Sequence, residues 1–269
     1  MGAENARPDR GSALVTGASR GIGAAIARAL ATDGWSVGVN YRADAEGART
    51  VVEEIGAGGG QALEIEADVA DESSVERMFD TIEDRLGPVL VLVNNAGARH
   101  DRLVQGLSKQ AWARIIDVNL HGAFHTIQRA IRPMVQMRFG RIINLSSISA
   151  TRPQPAQAAY AASKAGVEAL TRTVAQEVTR RGVTVNAIAP GLVDTDFIPE
   201  SLKSADAMRV LPARRLGRPE EVAAVASFLA SEEAGYVSGT VITMDGAFSA
   251  GLGTGGQYWR PKAETSTDA

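Results

Sequence analysis

Ala13-Leu-Val-Thr16-Gly17-Ala-Ser-Arg-Gly21-Ile-Gly23 decides the fold. A short apolar strand runs into a glycine-spaced turn, and a small-residue helix follows. Glycines allow a tight turn and let backbone N–H groups approach a pyrophosphate at the helix N-terminus. Gly17, Ser19, Arg20, Gly21, Ile22 and Gly23 are therefore candidate cofactor contacts. The spacing is TGxxxGxG rather than GxGxxG, and Ile26 stands where a third small residue would fall. A glycine turn after the first strand of an alternating pattern points to a dinucleotide.

Outward from this unit, β-branched runs alternate with helical ones. Strands are predicted at Ala13–Thr16, Ser36–Tyr41, Ala62–Ala67, Val89–Asn94, Arg141–Ser146, Thr184–Ala189 and Thr240–Met244. Helices are predicted near Ile22–Thr32, Ala45–Ile55, Ser73–Leu86, Lys109–Met134, Ala158–Arg180 and Pro219–Ala230. Most strands are apolar on both faces, as in a parallel sheet covered by helices on both sides. The expected fold is a single-domain, doubly wound α/β Rossmann-type sheet over residues 11–250. Gly191–Arg218 breaks the rhythm after a strand end and is a candidate substrate lid. Residues 1–10 and 251–269 are polar or glycine-rich and are expected to be flexible.

Composition narrows the function. The chain has 269 residues, 45% hydrophobic and 22% charged, which fits one large domain. A net charge of −3 favours neither nucleic acid nor an anionic membrane. There is no cysteine, so no disulfide or thiolate chemistry is available. His100, His121 and His125 make no metal-ligand pattern, and no metal is expected. No apolar run reaches the roughly 20 residues that span a bilayer, and the N-terminus lacks a signal peptide's apolar stretch. A cytoplasmic location is expected.

The second strand ends Val39-Asn40-Tyr41-Arg42, with no carboxylate until Asp44. An NAD site usually places an acid there for the ribose 2′-hydroxyl. Arg42 and Arg20 instead suit a 2′-phosphate, so NADP(H) is expected. Tyr41 and Arg42 would line this end. Asp68 and Val69 end the third strand, where a carboxylate can accept from the adenine amino group. Asn95, Ala96 and Gly97 end the fourth.

Tyr160 and Lys164 lie four apart in a helix-forming stretch, which stacks them on one face. A phenol with a reference pKa near ~10 is a poor acid or base at neutral pH. A nearby ammonium lowers it, giving a proton-transfer device.

Together these motifs resemble the short-chain dehydrogenase/reductase family: Thr16–Gly23, Asn94–Gly97, Asn119, Ser147, Tyr160-Ala-Ala-Ser-Lys164 and Pro190-Gly191. The resemblance covers about residues 11 to 250 and implies a seven-stranded sheet and hydride transfer with a nicotinamide. It makes Tyr160 the proton donor in carbonyl reduction, and has Lys164 lower the tyrosine's pKa and hold the nicotinamide ribose. It assigns Ser147 to the substrate oxygen and Asn119 to a relay water. It adds Pro190, Gly191, Val193 and Thr195 to the cofactor site.

Within the family the likeness is to 3-oxoacyl-[acyl-carrier-protein] reductases. It rests on Arg99–Leu103, Gly140–Asn144 and Arg215–Val222. It implies a homotetramer and a ketone or β-ketoacyl thioester substrate, the latter on an acyl carrier protein. Arg138 and Arg181 would dock the carrier, and His100, Ser149 and Gln157 would meet substrate. Thr151-Arg-Pro-Gln-Pro155 and Met244-Asp-Gly-Ala-Phe248 depart from the usual pattern. They leave room for a specialised ketoreductase acting on a polyketide or cyclic ketone. A non-catalytic dinucleotide-binding regulator is the remote alternative, since fold does not fix function.

Overall fold

A computed structural model describes residues 11–198 and 200–250. Residues 1–10 and 251–269, where flexible ends are expected, lie outside the described residues.

Seven strands form one sheet: β1 (Ser12–Val15), β2 (Ser36–Tyr41), β3 (Ala62–Glu66), β4 (Val89–Asn94), β5 (Gly140–Leu145), β6 (Val183–Pro190) and β7 (Val241–Met244). The order is β3-β2-β1-β4-β5-β6-β7, and every neighbouring pair is parallel. The order reverses between β1 and β4, so the crevice at their carboxyl ends is the expected ligand site. The helices are α1 (Gly21–Thr32), α2 (Ala45–Ala57), α3 (Glu72–Leu86), α4 (Lys109–Ile116), α5 (Gly122–Met137), α6 (Ala158–Val178), α7 (Ala205–Val210) and α8 (Pro219–Ala230).

The central strands carry the core. Val89-Leu-Val-Leu-Val93 is wholly buried, each side chain contributing roughly 1.5–3 kcal/mol by burial. The helix ends follow local chemistry. Asp71 accepts from the Ser73 and Ser74 amides at the start of α3. Pro219 opens α8, where Glu221 reaches back to the Arg218 amide at 2.7 Å. At the foot of β5, the fully buried Arg141 guanidinium bonds Ser231 O at 2.9 Å and stacks on Phe139. Burial pulls its pKa down to about 10.

Two expected elements differ. The helix predicted over Lys109–Met134 contains a π turn at Asp117–His121 between α4 and α5. Residues Gly191–Arg218 are not wholly irregular. They hold a 3-10 turn at Glu200–Lys203 and the short helix α7. Their base is closed by Asp194 N to Gly217 O and Gly217 N to Leu192 O, both at 2.9 Å.

No helix among the described residues is long and apolar enough to cross a membrane. Nor do the described residues hold a group of three or more potential metal-ligating side chains.

Candidate active site

A cleft of about 440 Å³ opens at the carboxyl ends of the strands. Its size is in the usual range for small-molecule sites. Every residue expected to bind the cofactor lines it, from Gly17 through Tyr41, Arg42, Asp68, Val69, Asn95 and Gly97 to Pro190, Gly191, Val193 and Thr195.

The glycine turn is clamped from below. Gly17 has φ +60°, and a Cβ there would stand 2.9 Å from Ala96 Cα. A Cβ on Gly23 would collide with the Asn95 amide and the Gly17 carbonyl. Asn95 Nδ2 donates to Thr16 O at 2.9 Å and Gly17 O at 2.8 Å. Thr16 Oγ1 accepts from the Asn95 and Ala96 amides at 3.0 Å each. Asn40 accepts from Gly17 N at 3.1 Å and donates to Ile65 O and Ala67 O at 3.2 Å each. Asn40 thus joins the ends of three strands, a role its sequence position does not announce. Above the turn, α1 begins with no side-chain cap and no acid in its first turn. Uncapped N–H groups at an acid-free helix N-terminus fit a pyrophosphate.

At the other end of this wall lie Arg20, Arg42, Asp44 and Asp68. Arg20 and Arg42 are exposed. Asp68 is not free: Arg114 Nη2 donates to its Oδ2 at 2.9 Å, and Arg42 lies 3.9 Å away. Arg114 also lines the cleft and had no sequence signal, being 46 residues from Asp68.

Four side chains meet at the β4–β5–β6 end. Tyr160 and Ser147 both line the cleft, and the Ser147 hydroxyl is near enough to favour the Tyr160 phenolate. Ser147 Oγ also accepts from Ser149 N at 3.1 Å, which fixes it. Lys164 lies on the same helix face as Tyr160, its Nζ 5.7 Å from the ring centroid. It donates to Leu145 O at 2.6 Å. Asn119 sits in the π turn and binds Ala98 twice, accepting from its amide at 2.7 Å and donating to its carbonyl at 3.0 Å. It also donates to Ser163 Oγ at 2.9 Å. A π turn re-aims side chains within a helix, and such turns often mark functional sites. Behind the cleft, a void of about 10 Å³ is bounded by Asn119, Lys164, Asn94 and Thr16 among others. It is close to the smallest space that holds one water.

The electrostatics correct one expectation. The one-turn spacing predicts that Lys164 lowers the tyrosine's pKa. Instead burial pushes the Tyr160 phenol up, opposed by the Ser147 hydroxyl and the Arg99 guanidinium. Burial also brings the Lys164 ammonium down to about 8. Burial is the largest influence on each group. Tyr160 is therefore a protonated phenol at neutral pH, as a donor to a carbonyl must be. Ser146, next to Ser147, donates through Oγ to the buried Glu168 carboxylate at 3.0 Å.

The expected substrate contacts are only partly gathered. Ser149 Oγ donates to Gln157 Oε1 at 3.0 Å, beside Ser147. His100 is exposed on the loop after β4. Arg138 and Arg181 are not at the mouth of this chain's cleft. Each lies two residues before β5 or β6, at the opposite edge of the sheet. Sequence order hides this, because a loop before a strand and a loop after it look alike. Two further groups stand near Tyr160. Phe197 of the lid stands 6.1 Å from the Tyr160 ring, and Arg99 is forked onto Asp101 through Nε at 2.7 Å and through Nη2.

A family model described as enoyl-(acyl carrier protein) reductase matches residues 17–249. The chain belongs to the short-chain dehydrogenase/reductase family. Family members are oxidoreductases that use a nicotinamide dinucleotide, and the clamped glycine turn is where this chain would hold it. Among curated relatives, 3-oxoacyl-[acyl-carrier-protein] reductase FabG of Staphylococcus aureus is 44% identical, covering 87% of this chain and 96% of its own. The 3-oxoacyl-[acyl-carrier-protein] reductase of Synechocystis is 44% identical, covering 87% and 95%. MabA of Mycobacterium bovis, of the same description, is 43% identical, covering 89% and 93%. A crystal structure from Agrobacterium tumefaciens, provisionally described as a gluconate dehydrogenase, aligns with a TM-score of 0.86 at 33% identity, covering 90% of this chain and 97% of that one. The fold and family expectations are borne out.

Proposed function

We propose that this protein is an NADPH-dependent ketoreductase acting on a β-ketoacyl thioester carried by acyl carrier protein. The hydroxyl pair of Ser147 and Tyr160, set in the cleft beside the cofactor wall, carries the reading. The bound cofactor supplies the hydride. Ser147 would hold the substrate oxygen, and Tyr160 would give it a proton as charge develops. Lys164 and Asn119 bound the one-water void through which that proton can be replaced. The names of the relatives support the thioester, and their kinship supports a homotetramer.

Arg20 and Arg42 support NADP(H), because exposed guanidinium groups suit a 2′-phosphate. For a carrier protein, Arg102 and Arg152 are better placed than Arg138 and Arg181. Both are exposed, and a hydrogen bond from Arg102 N to Ala156 O joins their loops near the mouth. A compact polyketide or cyclic ketone is the second reading, favoured by the aromatic wall that Phe197 adds beside Tyr160.

Turnover with NADPH decides between them. A β-ketoacyl thioester should be reduced faster than a panel of cyclic and aromatic ketones; turnover of the panel alone favours the second reading. NADPH should bind more tightly than NADH in direct titration. Tyr160→Phe should lower kcat by about 10²–10⁴-fold with NADPH affinity nearly unchanged. A variant with near-full rate removes Tyr160 as the donor.

A further inference from the structure

Asp68 is held at each of its oxygens. Oδ1 accepts from the Ala70 amide at 3.0 Å, and Oδ2 takes the Arg114 guanidinium at 2.9 Å. Its own amide donates to Ser74 Oγ at 3.3 Å. Arg114 comes from the last turn of α4, 46 residues along the chain from Asp68. Both members of the pair are about one-third exposed and line the cleft. An exposed ion pair contributes little to folding, so stability gives this one little reason to sit in a ligand wall. A carboxylate held on both oxygens is instead a pre-aimed acceptor, and pre-aiming lowers the cost of binding.

We infer that Arg114 is a positioning residue for the cofactor's adenine, acting by fixing the Asp68 carboxylate as the acceptor for the ring's amino group. The inference rests on the proposed binding of NADP(H). It accounts for a second feature of this wall. Arg114 offsets the Asp68 charge close to Arg42, so an acid can face adenine without repelling a neighbouring 2′-phosphate. The same helical rod then serves both ends of the cleft. Arg114 lies in the last turn of α4 at the adenine side, and five residues later Asn119 occupies the π turn beside Lys164.

The test is a binding cycle read by fluorescence titration, with no turnover. The ligands are NADPH and its deamino analogue, which carries hypoxanthine and lacks the amino group. Wild type should bind NADPH about tenfold more tightly than the analogue, the range of one charge-assisted hydrogen bond. Arg114→Gln should weaken NADPH by a similar factor and the analogue by less than about twofold, collapsing the discrimination. Equal losses for both ligands would overturn the inference, because Arg114 would then act on phosphate or on the fold. So would no loss at all. If Arg114→Gln fails to fold, Arg114→Met gives the same comparison, since its unbranched side chain keeps the apolar stem and removes the donor to Asp68 Oδ2. The same cycle with NADH and deamino-NADH separates the two readings. Tighter binding of NADH than NADPH sinks the NADP(H) proposal, yet the dependence on the amino group would still report on Arg114.

Discussion

The two walls of the cleft are built differently. On the cofactor side, the left-handed turns fall on Gly17 and Gly21, at φ +60° and +57°. Buried Thr16 and Asn40 and the half-buried Asn95 then lock the turn, directing their hydrogen bonds to backbone. On the substrate side, left-handed positions fall on Ala156, Arg214 and Ala247, at φ 70°, 58° and 68°. Single ties near the surface hold those loops: Arg152 reaches Ser249 O at 3.3 Å, and Lys203 pairs with Asp194 at 3.2 Å. The first wall is rigid and unstrained, as a fixed ligand requires. The second carries strain and weak surface ties, as suits a face that sets substrate choice.

The largest effect should come from breaking the rigid wall. Asn95→Ala removes two donors from the Thr16 and Gly17 carbonyls and leaves both without that partner. Losing such bonds costs on the order of 2–4 kcal/mol for the pair. Denaturant unfolding should show that loss, and NADPH titration a weakened Kd. A loss below about 0.5 kcal/mol would mean that the turn holds itself and that the contrast between the walls is not one of hydrogen bonding.

This contrast also explains what the sequence made legible. The strand ends and glycine turn follow from period and residue type, so the cofactor wall could be placed residue by residue. The π turn could not. The residues of the turn are ordinary helix-compatible ones, so nothing in 109–134 marks the extra residue, and Asn119 stood out only through the family resemblance. The Arg114–Asp68 pair and the place of Asn40 depend on strand order, which joins residues far apart in sequence. Arg138 and Arg181 show the converse: resemblance supplied a role, but the topology puts them at the far edge of the sheet.

A middle-sized effect lies where the walls meet. Lys164 is buried, and its pKa is lowered from 10.5 to about 8. A lowered amine pKa means that the folded chain holds the proton less firmly than the unfolded one. Below pH 8 the ammonium is charged in both states, and its burial costs stability by up to ~3 kcal/mol, offset in part by the bond to Leu145 O. Between pH 8 and 10.5 that cost fades, because only the unfolded chain keeps the charge. Lys164→Met should therefore abolish turnover yet raise the melting temperature at pH 7. Its advantage should shrink toward zero as pH approaches 10.5. A variant less stable than wild type at pH 7 would show that the Leu145 bond outweighs desolvation.

The smallest effect belongs to the strained wall. Ala156 sits at φ 70°, and its carbonyl accepts from Arg102 N at 2.9 Å, which joins the two loops at the mouth. A left-handed alanine costs roughly 1–2 kcal/mol. Glycine would remove that cost but adds freedom to the unfolded chain worth about 0.5–1 kcal/mol. Ala156→Gly should thus stabilise the fold by less than about 1 kcal/mol, seen as a small rise in melting temperature. Because the Arg102 bond uses backbone alone, it survives the substitution, and NADPH affinity should not move. Any change should fall on the KM for the carbonyl substrate. A shift in cofactor affinity instead would show that the two walls are mechanically joined through the loop after β4, where Asn119 holds Ala98 four residues before Arg102.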